Sequence, residues 1–180
     1  MKYRLFAASC CFASIMGFQS AALAEMKISS AGINEGQIDK VHACSNKGGK
    51  NQSPQISISS IPGGTSHITV IIDDPDAVSA AGKTWVHWNV FNVRVSGNEY
   101  SLGAGEKPSG IIGKNSGGKG YGGMCPPDGR HTYRFAAFAT KGDVKVKTSG
   151  WKGKAYTIDK FRKDFSASII ESSQTNGDYE

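Results

Sequence analysis

No later stretch of the sequence stays apolar for the roughly 20 residues that a helix needs to cross a bilayer, so no membrane span is expected in the mature protein. No block of Lys and Arg marks a nucleic-acid surface, because the basic residues are scattered among Asp and Glu. Catalytic signatures are missing as well: there is no G-x-S-x-G elbow, no H-E-x-x-H helix and no Cys-x-x-Cys pair. The chain has no internal repeat or low-complexity tract. Histidine is scarce, and His42, His67, His87 and His131 stand too far apart to suggest a zinc site by spacing. No metal or other cofactor is therefore expected, and folding alone could assemble a metal site.

What is present begins with Lys2 and Arg4, an apolar run from Leu5 to Phe18, and small residues ending Ala22-Leu23-Ala24. That order is the one found in cleaved secretory signals, and the apolar run is too short for a spanning helix. Residues 1–24 are read as a signal peptide and 25–180 as a single domain of periplasmic or secreted location. An uncleaved anchor is the alternative; a lipid at Cys10 fits less well, because cleavage there would cut into the apolar run. Removing Lys2 and Arg4 lowers the formal charge from +6 to +4.

Of four cysteines, Cys10 and Cys11 lie in the expected signal, leaving Cys44 and Cys125. In an oxidising compartment these two are expected to join. Closing a loop of about 80 residues stabilises a fold by up to roughly 4.5 kcal/mol in the chain-entropy model. Two free thiols are the alternative.

Four segments dense in β-branched and aromatic residues, and bounded by turn residues, read as strands: Gln55 to Ser60, His67 to Asp73, Trp85 to Val93 and His131 to Thr140. The third is apolar on both faces, with Trp85 and Phe91 on one and Val86, Trp88 and Val90 on the other. One late helix is expected, capped by Thr157, with Ile158, Phe161, Phe165 and Ile169 at helical spacing. The glycine-rich segment from Gly103 to Gly129 is too long for a plain connection.

Within it, Gly113-Lys114-Asn115-Ser116-Gly117-Gly118-Lys119-Gly120 nearly spells a phosphate loop. Gly120 stands where a Ser or Thr must hold magnesium, and no helix is expected to follow. Three other segments are odd for a plain β core. Asp73-Asp74-Pro75-Asp76-Ala77 runs a strand into carboxylates, His87 interrupts an apolar strand, and Tyr121 to Pro127 precedes His131-Thr132-Tyr133. Period two puts His131 and Tyr133 on one face. Taken singly, Asp74 is as readily a turn residue, and His87 more often a satisfied core residue.

Together, Asp74-Pro75-Asp76-Ala77, Trp85-Val86-His87-Trp88 and Gly122-Gly123-Met124-Cys125-Pro126-Pro127 followed by His131-Thr132-Tyr133 resemble the phosphatidylethanolamine-binding protein family, also called Raf kinase inhibitor-like. Gly49 to Pro54 and Gly177 to Glu180 resemble that family's early and terminal segments, and the cysteine pair is most like its bacterial exported branch. The resemblance implies a mostly β, Greek-key β-sandwich with one or two peripheral helices. It also implies a small cavity for phosphate-like anions or phospholipid head groups, lined by Asp74, His87, His131 and Tyr133, with Gly123, Cys125 and Pro126 as the loop wall. Val78 and Met124 depart from the family pattern near that wall.

The function implied is a non-catalytic binding protein for phosphate-like anions or phospholipid head groups, with regulation of an extracytoplasmic protein as a further expectation. A small hydrolase using an Asp/His pair, a protease inhibitor and a scaffold with a disused pocket are the alternatives.

Overall fold

The computed structural model describes residues 24–147 and 153–180. The expected signal peptide falls almost wholly on residues 1–23, outside the described residues. In chain order the elements are β1 (Lys27–Ser29), β2 (Ile33–Asn34), β3 (Gln37–Ile38), β4 (Ile56–Ser59), β5 (His67–Asp74), α1 (Val78–Ala81), β6 (Trp85–Arg94), β7 (Tyr100–Leu102), β8 (Ile111–Ile112), β9 (His131–Thr140), α2 (Ile158–Asp164) and β10 (Ile169–Tyr179). Two 3-10 turns, Lys40–His42 and Ser45–Lys47, follow β3. No described helix is long and apolar enough to cross a membrane.

The strands form a three-stranded sheet, β1-β4-β7, and a seven-stranded sheet, β2-β3-β10-β9-β5-β6-β8. The result is the expected Greek-key β-sandwich with two helices. Between the sheets, Met26, Ile28, Ile56 and Ile58 meet Ile68, Val70, Ile72, Trp88 and Phe135. On the other face of the large sheet, Ile71, Phe91, Ala136 and Phe138 pack against Tyr156, Ile158 and Phe161. Covering both faces explains why every residue of β5 is buried, and why its centre, Val70-Ile71-Ile72, is an unbroken apolar run. Each fully buried aliphatic or aromatic side chain stabilises the fold by about 1.5–3 kcal/mol over exposure.

β6 does not keep period two. Ile72 pairs with Trp88 but Asp73 pairs with Val86, which leaves His87 as an inserted residue. Such a bulge turns two successive side chains to one side. Trp88 enters the inter-sheet core and His87 meets Tyr133 beside that core, while Phe91 lies in the helix-side cluster. The expectation that Trp85 and Phe91 share a face is corrected accordingly: Trp85 stands on the His87 side. A second register shift near Asn92, whose φ is 55°, lets its side chain exchange hydrogen bonds with the Val144 backbone.

α2 starts as expected, with Thr157 accepting a hydrogen bond from the Lys160 amide. It ends earlier than the apolar spacing implies. Phe165 is its C-cap, and Ile169 opens β10 instead of extending the helix. β10 was not expected from sequence, since Glu171 to Asp178 is polar throughout and lacks an apolar alternation. Ten residue pairings with β9 hold it in place, and Asp178 pairs with Gln37 of β3.

Candidate functional site

Three antiparallel neighbours bring the unusual residues together. β5 lies between β6 and β9, so its C-terminal end sits beside the N-terminal ends of both. Asp74 pairs with Trp85 across this edge. The three carboxylates that close β5 then divide their work. Asp73, fully buried, accepts from Arg134 at 2.8 and 2.9 Å and from the Ile158 amide at 2.9 Å. Burial nevertheless raises its pKa, against the lowering effect of those bonds. Asp76 accepts from the Thr132 amide at 2.8 Å. Asp74 accepts from the Ala77 amide at 3.1 Å and faces His131 Nδ1 at 2.7 Å.

At this end of the sandwich a cavity of about 350 Å³ opens, lined in part by Asp74, Trp85, His87, Gly123, Cys125 and His131. Its remaining walls are Ala77, Ala80, Ala81 and Pro127. His87 Nδ1 lies 2.7 Å from the Gly122 carbonyl. A carbonyl only accepts, so Nδ1 carries the proton, and the neutral ring presents a bare Nε2. Burial lowers the His87 pKa, outweighing the Gly122 contact and the Asp74 charge, so the ring is neutral at pH 7. Its Nε2 has no hydrogen-bond partner among the described residues.

His131 has the opposite character. Burial pulls its pKa down, but the hydrogen bond and charge of Asp74, with Asp128 at 3.4 Å from Nε2, prevail and raise it. Both nitrogens thus face carboxylates, and the ring acts as a clamp between them. Tyr133 does not line the cavity. It is fully buried behind it, edge-on to His87 at 5.2 Å between ring centroids. Its hydroxyl has no hydrogen-bond partner among the described residues, and burial with the Asp74 charge pushes its pKa well upward.

A family model for phosphatidylethanolamine-binding protein matches residues 28–180. The chain belongs to that family. Among its relatives, UPF0098 protein YbcL of Escherichia coli is 36% identical over 134 residues, covering 68% of this chain and 72% of that protein. A UPF0098 protein of Aquifex aeolicus is 34% identical over 165 residues, covering 81% and 93%. The crystal structure of Escherichia coli YbcL, described as a new member of the mammalian family, superposes with a TM-score of 0.69 at 29% identity, covering 87% of this chain and 99% of that one. A homologue of the family from Chlamydia trachomatis gives 0.70, also at 29% identity, covering 87% and 97%.

In this member of the phosphatidylethanolamine-binding protein family, Pro126 is not part of the cavity lining. It is buried behind the wall, and exposed Pro127 forms the surface instead. Cys44 and Cys125 are joined, with Cα atoms 5.5 Å apart. Of the other histidines, His42 is buried with Nδ1 on the Gln52 carbonyl, and His67 pairs with Asp143 outside the cavity. Sequence reading missed Asn51, whose side chain accepts the Gly123 amide and so removes that N–H from the expected donor set. The early Asn-x-Ser-Pro segment was the available signal. Asp128 and the alanines of α1 carried none. Among the described residues, no group of three or more His, Cys, Asp or Glu is placed to hold a metal ion.

Proposed function

We propose that this protein is a non-catalytic binding protein of the periplasm or cell exterior, whose cavity takes a singly protonated phosphoryl group. That group belongs to a phosphate monoester or to a lipid head group that ends in one. The observation that carries the reading is a buried ring nitrogen of a cavity-lining residue, His87 Nε2, that has no hydrogen-bond partner among the described residues. A phosphate monoanion has a P–OH to donate to Nε2. Leaving such a protein group unmet is costly, by about 1–3 kcal/mol, which favours a ligand that meets it. The Cys44–Cys125 disulfide suits an oxidising compartment.

The local charge favours a monoanion over a dianion. Asp74 faces His131, whose pKa it raises, burial lowers that of His87, and among the described residues no Lys or Arg lines the cavity. Binding is favoured over turnover because Asp74 and His131 are already engaged with other groups, and no Ser or Thr lines the cavity.

Calorimetric titration with phenyl phosphate tests the reading. The complex retains a proton that the free ester loses above its second pKa of about 6. Affinity therefore falls by close to tenfold per pH unit above that point. His87→Ala weakens binding at pH 5.5 by about tenfold or more, as expected for a hydrogen bond to a charged group. Equal affinity in that variant, or a flat profile from pH 5.5 to 8, would overturn the proposal.

A further inference from the structure

The glycine-rich segment that nearly spells a phosphate loop folds as a hairpin. Lys114 pairs antiparallel with Lys119. The Asn115 amide donates to the Gly118 carbonyl at 3.1 Å, and the Asn115 side chain accepts from Gly117 and donates to the Gly120 carbonyl. The hairpin is clamped to β6 twice at 2.9 Å, from the Ser116 amide to the Val86 carbonyl and from the Val86 amide to the Ser116 hydroxyl. Its lysines are therefore carried on a fixed frame, with none of the strand-loop-helix geometry of nucleotide hydrolases.

That frame borders a second cleft, of about 560 Å³, whose lining includes Lys83, Lys114 and Lys154 together with Thr84, Asn115 and Thr157. Among the described residues, no acidic one lines it. Among the described residues, none of these three lysines, nor Lys119, forms a salt bridge. Asp159, two residues beyond Thr157, is already engaged by Arg134 and Arg162. Like charges directly opposite on paired strands are destabilising, so the Lys114–Lys119 pair weakens the free protein. Cations lining a concave site focus field on an incoming anion, and the neighbouring hydroxyl and amide groups provide hydrogen-bonding capacity beside them.

We infer that this cleft is a second binding site, for a ligand carrying two or more phosphate groups. It is separate from the histidine cavity: Thr84 and Val86 of the β6 approach line the cleft, whereas Trp85 and His87 line the cavity. The two sites use alternate residues of one chain segment. The cavity has a neutral acceptor and no lysine, and the cleft has three lysines and no histidine, so they select for different charge.

Calorimetric titration of the protein with tripolyphosphate at low salt tests the inference, alongside flotation with phosphatidylcholine vesicles carrying a phosphatidylinositol bisphosphate. Binding to either probe that weakens at least tenfold in Lys114→Gln/Lys154→Gln supports the site, and the two arms tell a soluble source from a lipid one. Lys154 is exposed and Lys114 half-buried, and retained phenyl phosphate binding by the variant would show that it is folded. Absence of binding to both probes would overturn the inference. Tripolyphosphate affinity that falls in His87→Ala but not in the lysine variant would also overturn it, by placing the ligand in the cavity.

Discussion

His87 and His131 begin as the same side chain and reach opposite preferences because their second partners differ. His87 gives its Nδ1 proton to a backbone carbonyl and is otherwise enclosed, whereas His131 lies between two carboxylates. The consequences for stability oppose one another. The lowered pKa of His87 means that the unfolded chain takes up a proton near 6.5 while the folded one does not, so acidification through that value costs stability. The raised pKa of His131 gives stability that is fully present below 6.5 and is lost as pH rises through its folded value. Replacing His131 by Gln should therefore make urea stability fall more steeply between pH 7 and 5 than in the parent protein, and replacing His87 by Gln should flatten that fall. Parallel profiles in all three proteins would contradict the two assignments.

At the scale of elements, the pocket depends on how the Gly122–Met124 segment is fastened. Met124 accepts from the Cys44 amide, Ala43 bridges to Met124, and Asn51 holds the Gly123 amide. A Cβ on Gly123 would stand 2.6 Å from the Cys44 nitrogen and 2.7 Å from the Ala43 carbonyl carbon, both of them backbone atoms that cannot rotate away. Gly123→Ala should cost about 1–3 kcal/mol, the usual penalty of overpacking, whereas Gly142→Ala, which meets nothing within 4 Å, should stay within about 0.5 kcal/mol. Denaturant unfolding of the two variants checks this. Equal stabilities would mean that the wall is loose. The strands β5, β6 and β9 were legible in sequence because burial on both faces demands continuous apolar runs. β10 was not, because its position depends on backbone pairing with β9 and its own residues are polar. The His87 bulge was equally hidden, since an inserted residue is defined only against its partner strand.

Across the whole molecule, the motifs in the sequence located the site, while its charge state came from folding. Asp74, His87 and His131 could be named from sequence, but the neutral ring of His87 requires its burial, its Nδ1–H tautomer requires the Gly122 carbonyl, and the clamp on His131 requires Asp128. The exchange of Pro126 for Pro127 turns on which of two adjacent rings the chain buries. The same fold links distant segments covalently: Cys44 and Cys125 are 81 residues apart and join the early turns to the cavity wall. Removing that link by Cys44→Ala/Cys125→Ala should lower stability by about 2–5 kcal/mol. A thermal-unfolding midpoint equal to that of the parent would deny the disulfide a stabilising role.

The claim on which the functional account rests is that a ligand meets the bare Nε2 of a neutral His87. Nitrogen-15 NMR of the histidine rings, recorded at pH 7 while phenyl phosphate is added, observes that atom directly. The account predicts a free His87 protonated at Nδ1 alone, with a ligand-dependent shift centred on its Nε2. A ring protonated at Nε2 in the free protein, or an Nε2 signal that stays fixed through saturation, would contradict it.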